Sequence, residues 1–160
     1  MLEGTLMEGN KVDTRRKDLG FTLVELLIVM AIIGILAAIA IPNLIEASKR
    51  AKISRAQADT NKIVTQTQLY ISDFSTYPGP GNPGFTILRN AAYIAVIYDP
   101  FDPPNNYQFL TPAVGTPVSM TDEIAAWSVG PAHNGTYAAG TPGGSAIGYS
   151  NQIGAFNLGS

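Results

Sequence analysis

The chain has 160 residues, no cysteine, a charged fraction of only 14% and a formal net charge of −2. This balance argues against a strongly basic nucleic-acid-binding protein. The lack of thiols excludes a disulfide framework, a thiolate zinc site and a cysteine nucleophile. The length suits one modest domain preceded by an N-terminal segment.

The chain begins with a polar leader that is followed at once by a long apolar run. Residues 1–20 form the leader, and its bases precede the run directly: Lys11, Arg15, Arg16 and Lys17. Residues 21–41 contain a single charge, that of Glu25. As a helix these residues would span roughly 31 Å, which is the thickness of the hydrocarbon core of a bilayer. We therefore predict a membrane-spanning helix over residues 21–42.

A second helical segment follows the apolar run. Pro42 should kink or loosen the helix, because proline has no backbone N–H to donate. Residues 43–77 are predicted to form an amphipathic helix, because mainly apolar side chains recur at three- and four-residue steps on one face. The side chains of this face are Ile53, Ala56, Thr60, Ile63, Val64, Thr67, Ile71 and Phe74. The proline- and glycine-rich run from Pro78 to Gly84 should end this helix near Tyr77.

Residues 78–160 predict a small, loop-rich β head. The part from residue 85 to residue 98 is compatible with a helix or a strand. The segments "NYQFL" and "AAWSV" are typical of short strands. The segments "DPFDPPNN", "GPAHNG" and "GTPGG" are typical of turns.

Glu25 is the residue of the apolar run that most needs an explanation. A charge inside a spanning segment costs on the order of 2.5–3.5 kcal/mol and usually marks function, although an acid near the membrane surface is also tolerated. No lysine or arginine lies between Phe21 and Lys49. If the chain were cut after Gly20, the new amine of Phe21 would lie near Glu25 of the same chain or of a neighbouring copy. Pairing of this kind would set the axial register between packed helices.

The segment "GFTLVELLIVMAIIGILAAIAIP", residues 20–42, resembles the N-terminal signature of type IV pilin-like proteins. These comprise the type IV pilins and the pseudopilins of type II secretion. The resemblance implies that a prepilin peptidase cleaves between Gly20 and Phe21 and methylates the new Phe21 amine. It implies that Glu25 aligns subunits and that the helix loosens around Pro42 in the filament. It also implies an α+β, pilin-like fold, with the long helix packed on a small antiparallel β-sheet.

The same resemblance implies a place in the cell and a set of partners. The subunit would be a single-pass protein of the inner membrane with its head in the periplasm, and the filament would lie in the periplasm or at the cell surface. Its partners would be further copies of itself, the prepilin peptidase, an inner-membrane assembly platform, and minor pilins or pseudopilins. We expect neither an enzymatic activity nor a nucleic-acid partner.

An ordinary secretory signal peptide is the competing interpretation of the N-terminus. Ala38-Ile39-Ala40 fits the small-residue pattern of signal cleavage. The apolar run is longer than the usual apolar region of a signal peptide, however, and an acid within such a region is unusual.

Two segments of the head, "DPFDPPNNYQF" and "WSVGPAHNG", resemble parts of major pseudopilins. Such proteins commonly hold calcium in a late, aspartate-rich loop, whereas no carboxylate follows Glu123 in this chain. Calcium requires several oxygen ligands, and the fold would have to gather the candidate carboxylates of Asp99, Asp102, Asp122 and Glu123. We expect no cofactor and little or no effect of calcium. His133 is predicted to be a loop residue, and Trp127 a packing residue.

Three functions remain open from the sequence. The first is a subunit of a type II secretion pseudopilus, which the head segments and the lack of cysteine favour. The second is a major or minor type IV pilin that serves adhesion, motility or DNA uptake. The third is a monomeric, membrane-anchored periplasmic binding domain, against which Glu25 argues.

Overall fold

One long helix, α1 (Leu23–Phe74, 52 residues), forms the first part of the computed structural model, which describes residues 20–119, 121–138 and 140–159. The predicted leader lies outside the described residues, except for Gly20. The chain divides into two compact units at the Ile41–Pro42 bond. The predicted division of the chain into leader, spanning helix, amphipathic helix and head stays a prediction.

The first unit contains the apolar part of α1, which is long and apolar enough to cross a membrane by length and composition. Its most apolar window has no buried residue. Apolar side chains such as Leu23, Met30 and Ile35 are exposed along it. A surface of this kind needs lipid or other apolar helices around it.

The second unit contains the remainder of α1, which buries one face against the head. The predicted residues Ala56, Thr60, Ile63, Val64 and Thr67 are fully buried. The hydroxyls of Thr60 and Thr67 donate to the carbonyls of Ala56 and Ile63, each at 2.7 Å. These bonds satisfy polar groups that would otherwise be costly to bury.

Two details of the predicted amphipathic helix are wrong. Phe74 is 55% exposed, whereas Tyr70, which the periodicity did not single out, is 9% exposed. The helix also ends at Phe74 rather than near Tyr77. It ends there because Ser75 takes a left-handed conformation with φ 52° and donates its N–H to Ile71 O at 2.8 Å.

A second helix, α2 (Gly81–Asn90), begins inside the proline- and glycine-rich run that follows α1. Pro83 is compatible with it because the N–H groups of the first helical turn have no acceptor within the helix. Phe85 and Leu88 point into the core. The ambiguous segment that starts at residue 85 is therefore helical in its first part.

Six short strands complete the head: β1 (Gln108–Leu110), β2 (Ala125–Ser128), β3 (Thr136–Ala138), β4 (Thr141–Gly143), β5 (Ile147–Ser150) and β6 (Gly154–Asn157). Four of them form an antiparallel sheet in the order β1-β2-β5-β6, and β3 pairs with β4. The strands predicted at "NYQFL" and "AAWSV" are confirmed as β1 and β2. The predicted α+β class, a long helix on a small antiparallel sheet, is confirmed as well.

The four-stranded sheet is apolar on both faces. Phe109, Ala126 and Ile147 belong to the main core together with the buried face of α1. Residues on the other face of the sheet, such as Ala125 and Phe156, form a second cluster. This cluster also contains Tyr137 of β3, Ala146, Leu110 and Trp127. The β3–β4 hairpin therefore contributes to the cover of the sheet face that α1 does not contact.

The turn predicted at "GTPGG" is wrong over residues 141–143, which form strand β4. Pro142 pairs with Tyr137 of β3. The two-stranded sheet has only edge strands, and proline is compatible with an edge because one side of the strand needs no donor. Gly140, with φ 79°, lies in the turn between the two strands.

Candidate functional site

The predicted cleavage point lies immediately before α1. Gly20 and Phe21 are both exposed, and the Phe21 side chain is 80% exposed. A Cβ atom added to Gly20 would meet no described atom within 4 Å. The described part of the chain therefore leaves room for a larger residue at this position. Any steric need for glycine here would come from a molecule that acts on the chain.

Thr22 and Glu25 form a capping box at the start of α1. The Glu25 carboxylate accepts the backbone N–H of Thr22 at 2.8 Å and the Thr22 hydroxyl at 2.9 Å. The Glu25 N–H donates to the Thr22 hydroxyl oxygen at 3.2 Å. Reciprocal bonds of this type satisfy backbone donors that the first helical turn leaves free.

Helix capping is a second role of Glu25 that is absent from the predictions above, although the spacing Thr-x-x-Glu before an apolar run is its recognised signal. Both carboxylate bonds use Oε2. Within the described residues, Oε1 has no hydrogen-bond donor and can accept one from outside the chain. The capping box and the predicted pairing with a Phe21 amine are therefore compatible with each other. That pairing stays a prediction.

Pro42 lies at the boundary between the two compact units. α1 continues through it without a break in helical assignment. Proline removes one backbone donor from the helix at this point. The predicted loosening of the helix around Pro42 in a filament stays a prediction.

Asp99, one of the four candidate calcium ligands, is a structural residue of the head. It is 1% exposed. Its carboxylate accepts the Phe101 N–H at 2.9 Å, the Ser128 hydroxyl at 2.7 Å and the Val129 N–H at 3.0 Å. It thereby joins the two head segments "DPFDPPNNYQF" and "WSVGPAHNG". A buried carboxylate needs such donors, because an unpaired charge is costly in an apolar interior.

The other three candidate ligands also have partners within the chain. Asp102 accepts a hydrogen bond from Asn105 Nδ2 at 3.1 Å on the surface. Asp122 and Glu123 are adjacent in sequence, but they bond to different tyrosines. Within the described residues, no group of three or more histidines or acids is placed to hold a metal ion. The fold therefore does not gather the four acids into one cluster.

Tyrosine–carboxylate pairs recur through the head. Tyr77 donates to Asp122 Oδ2 at 2.7 Å, and burial together with this bond raises the pKa of Tyr77. Tyr137 donates to Glu123 Oε1, which also accepts the Ser150 hydroxyl at 2.7 Å. Burial and the bond to Glu123 raise the pKa of Tyr137 to about 12. These pairs keep the tyrosines neutral and hold loops against the sheet.

The remaining residues that the sequence singled out have packing or turn roles. His133 lies in a turn with φ 54°, as predicted for a loop residue. The next residue, Asn134, accepts the Ser145 N–H at 2.9 Å. Trp127 packs against Tyr137 with ring centroids 5.4 Å apart. Its buried indole N–H has no acceptor within the described residues.

Comparison with known proteins places the chain in a family. Residues 15–41 match a family model described as the prokaryotic N-terminal methylation motif. The matched range contains the predicted cleavage point, Glu25 and the whole apolar run of residues 21–41.

The similarity to individual proteins extends beyond this motif. The chain is 31% identical over 119 residues to the type II secretion system core protein G of Pseudomonas aeruginosa, and the alignment covers 66% of this chain and 82% of that protein. It is 35% identical over 109 residues to the core protein G of Vibrio cholerae, with 61% of this chain and 73% of that protein covered.

A type IV pilin is also similar. The chain is 36% identical over 112 residues to the type IV major pilin protein PilA of Myxococcus xanthus, with 68% of this chain covered. The alignment covers 51% of that pilin, so the chain spans about half of its length. Together with the long N-terminal helix and the small antiparallel sheet, these matches show that the chain belongs to the type IV pilin-like family and is most like the pseudopilins of type II secretion.

Proposed function

We propose that this chain is a structural subunit of a type II secretion pseudopilus, a helical filament that acts in protein secretion. The observation that carries the proposal is the extent of the similarity to two proteins named type II secretion system core protein G. The alignments cover 82% and 73% of those proteins, against 51% of the pilin. The first of these alignments covers 66% of this chain, which is more than the leader and α1 together, so it includes part of the head.

The proposed subunit starts as a single-pass protein of the inner membrane with its head in the periplasm. A prepilin peptidase cleaves between Gly20 and Phe21 and methylates the new amine. The exposed apolar part of α1 supports storage in the membrane, because lipid would cover its side chains. The assembly platform then takes the subunit into the filament, where minor pseudopilins also take part.

Assembly exchanges lipid for neighbouring helices around the apolar part of α1. The charge of Glu25 must be paired in that environment. The bonds from Thr22 cap the helix but supply no positive charge, and Oε1 stays open to the Phe21 amine of a neighbouring subunit. This pairing would fix the stagger between subunits. Repeated contacts of one type then generate an open helical polymer instead of a closed ring.

We also propose that the head folds without calcium. Hydrogen bonds from the chain itself stabilise the carboxylates of Asp99, Asp122 and Glu123. A bound ion would raise the thermal stability in proportion to the logarithm of its free concentration. Addition of calcium or of a chelator to the full chain should leave the midpoint of thermal unfolding unchanged. A shift that a chelator reverses would contradict the proposal.

The main test is deletion of the gene in its host bacterium, with complementation by the unaltered gene. We expect the proteins exported by type II secretion to disappear from the medium and to accumulate in the periplasm. Motility and DNA uptake should stay intact. A second test measures filaments of this chain in sheared and periplasmic fractions of the complemented strain.

A type IV pilin is the second candidate, and the 36% identity to PilA over 68% of this chain favours it. On that alternative, deletion would abolish surface fibres, together with motility, adhesion or DNA uptake, and would leave secretion intact. This result would show that the filament is a pilus and not a pseudopilus. The proposed processing, membrane storage and polymerisation would still apply.

A further inference from the structure

An open groove lies in the second unit, beside the part of α1 that follows Pro42. Its volume is about 540 Å³. One wall is formed by α1, and the other by the turns around Phe101 and His133. The lining residues are Leu44, Ile45, Ser48, Lys49, Lys52, Phe101, Pro131 and His133. We call it the basic groove, because it is lined by two lysines and by no acid.

No carboxylate of the described residues neutralises the charge of the lysines in the basic groove. Two neighbouring arginines are paired with carboxylates one helical turn away: Arg50 with Glu46 at 3.3 Å and Arg55 with Asp59 at 3.4 Å. Lys49 and Lys52 have no carboxylate partner within the described residues. The groove therefore has an uncompensated positive charge and is complementary to an anion.

Lys52 is directed into the basic groove by the fold. Its Nζ lies 5.9 Å from the centroid of the Phe101 ring, at a distance typical of a cation–π contact. Phe101 is itself 8% exposed and belongs to the main core. The ring is thus a rigid part of the groove and holds the ammonium group beside the cavity.

Polarity changes along α1 in the order found at a membrane surface. Leu44 and Ile45 follow the last residue of the apolar run by about one helical turn, and their side chains are 70% and 64% exposed. Lys49 and Lys52 follow roughly two and three turns after the run. Side chains on a helix lean towards its N-terminus, and long lysine stems extend to reach polar surroundings. Along α1, Leu44 and Ile45 are therefore the lining residues that follow the apolar run first, and the two lysines come after them.

We infer that the basic groove binds the headgroup of an anionic phospholipid in the membrane that α1 spans. Leu44 and Ile45 would contact the apolar and glycerol part of the lipid, and Lys49 and Lys52 its phosphate. Each lysine near an anionic surface contributes about a fivefold gain in binding. The inference depends on the proposed membrane-anchored state, and the bound lipid would have to leave when the subunit enters a filament.

The test uses the full chain in nanodiscs of phosphatidylcholine, with or without about 30% phosphatidylglycerol. An amine-reactive reagent labels the lysines, and mass spectrometry measures the labelling rate at each one. Lys62 is the internal control, because it is exposed on the same helix about three turns beyond Lys52. We expect phosphatidylglycerol to slow the labelling of Lys49 and Lys52 at least about threefold and to leave Lys62 unchanged. About 0.5 M salt should restore the rates, because it screens the attraction.

A variant tests whether the two lysines share one lipid. Lys49→Gln should weaken the protection of Lys52 by phosphatidylglycerol, whereas the matched control Lys62→Gln should not. If the labelling of Lys49 and Lys52 is instead slowed equally in both kinds of nanodisc, and more strongly when each disc holds more chains, a second copy of the chain occupies the groove. That result would overturn the inference. If inorganic phosphate in phosphatidylcholine discs slows the labelling of Lys49 and Lys52 as much as phosphatidylglycerol does, the inference that the bound anion is a membrane lipid is wrong. Equal labelling in both discs, with the chain inserted, would overturn lipid binding altogether.

Insertion is measured separately by flotation of the discs after an alkaline carbonate wash. A chain that does not stay with the bilayer would contradict the proposed membrane-anchored subunit itself. A chain that stays with the bilayer but shows no dependence on phosphatidylglycerol would contradict only the basic groove. The two failures are therefore distinguishable.

Discussion

The hydroxyl of Tyr107 donates a hydrogen bond to Asp59 Oδ2 at 2.9 Å and so joins two residues that are 48 positions apart. Asp59 lies on α1, and Tyr107 immediately precedes β1. Tyr107 is 2% exposed, and its burial together with the bond to Asp59 raises its pKa above the ordinary range. Arg55 also contacts the Asp59 carboxylate, at 3.4 Å. This arrangement attaches the sheet edge to α1 by a polar contact beside the apolar core.

Tyr107→Phe should therefore destabilise the head. The substitution keeps the ring but removes the donor to Asp59, and we expect a loss of about 1–3 kcal/mol in the free energy of unfolding. The matched control is Tyr93→Phe, because the Tyr93–Asp73 bond is exposed to solvent. The control should change the free energy by about 0.5 kcal/mol or less. Denaturant unfolding of the full chain in detergent measures both, and equal effects would contradict the role of the Tyr107–Asp59 bond.

The raised tyrosine pKa values predict a loss of stability at alkaline pH. The pKa of Tyr137 is about 12, against an ordinary value of 10.0. Between these values the unfolded chain releases the tyrosine proton while the folded chain keeps it, so the stability falls as the pH rises. Below pH 10 the contribution of Tyr137 is fully present. Thermal unfolding measured from pH 9 to pH 12 should show this fall, and Tyr137→Phe should make it less steep.

Asp99→Asn should disrupt the link between two head segments. The amide nitrogen replaces one carboxylate oxygen and cannot accept a hydrogen bond, so either the bond from Ser128 to Oδ1 or the bond from Val129 to Oδ2 is lost. We expect a loss of about 1–3 kcal/mol in the free energy of unfolding, because a buried donor is left without an acceptor. The control is Asp102→Asn, because the Asp102 carboxylate accepts its hydrogen bond from Asn105 at the surface. If both substitutions have the same small effect, the Asp99 network does not stabilise the head.

Cleavage at the Gly20–Phe21 bond is tested by mass spectrometry of the mature protein. We expect an N-terminus at Phe21 with a methylated amine. Gly20→Leu should leave uncleaved precursor in the membrane, although the described residues offer no steric obstacle to a larger side chain. Gly34→Leu is the matched control, because it adds the same side chain at a glycine that is equally unobstructed. An N-terminus at Ile41 would instead support an ordinary signal peptide.

Substitutions at Glu25 and Thr22 separate subunit pairing from helix capping. Glu25→Gln can retain the capping box but loses the charge, whereas Thr22→Val loses the cap and retains the charge. If the carboxylate pairs with a neighbouring Phe21 amine, Glu25→Gln and Glu25→Val should both insert in the membrane and both fail to assemble. The loss of a buried charged partner costs roughly 3–5 kcal/mol. Thr22→Val should assemble at a yield closer to that of the unaltered chain.

These substitutions are compared by the yield of filaments in a sheared or periplasmic fraction. The yield is normalised to the level of the subunit in the membrane. Co-expression with the unaltered chain should partly restore incorporation of Glu25→Val, since each altered subunit still offers its Phe21 amine. Normal assembly of Glu25→Gln would rule out pairing by charge. If Glu25→Gln assembles normally and Thr22→Val does not, Glu25 serves assembly by capping α1 and not by pairing with a charge.

The sequence by itself determined the features that depend on neighbouring residues. The apolar run after Gly20, the isolated Glu25 and the amphipathic period after Pro42 are local patterns, and they predicted α1 and its buried face. The spacing of Thr22 and Glu25 is also a local signal, and it indicates the capping box independently of the charge that makes the carboxylate need a cation.

Only the tertiary structure decided the roles of residues that are far apart along the chain. Asp99 was a candidate calcium ligand by its chemistry, and the fold instead brings it to Ser128 and Val129. In the same way, Tyr107 meets Asp59, and Lys52 meets the ring of Phe101. Helical and strand periodicity fix which face a residue occupies, because they repeat every few residues. They do not specify which distant segment covers that face, because that choice depends on the packing of the whole head.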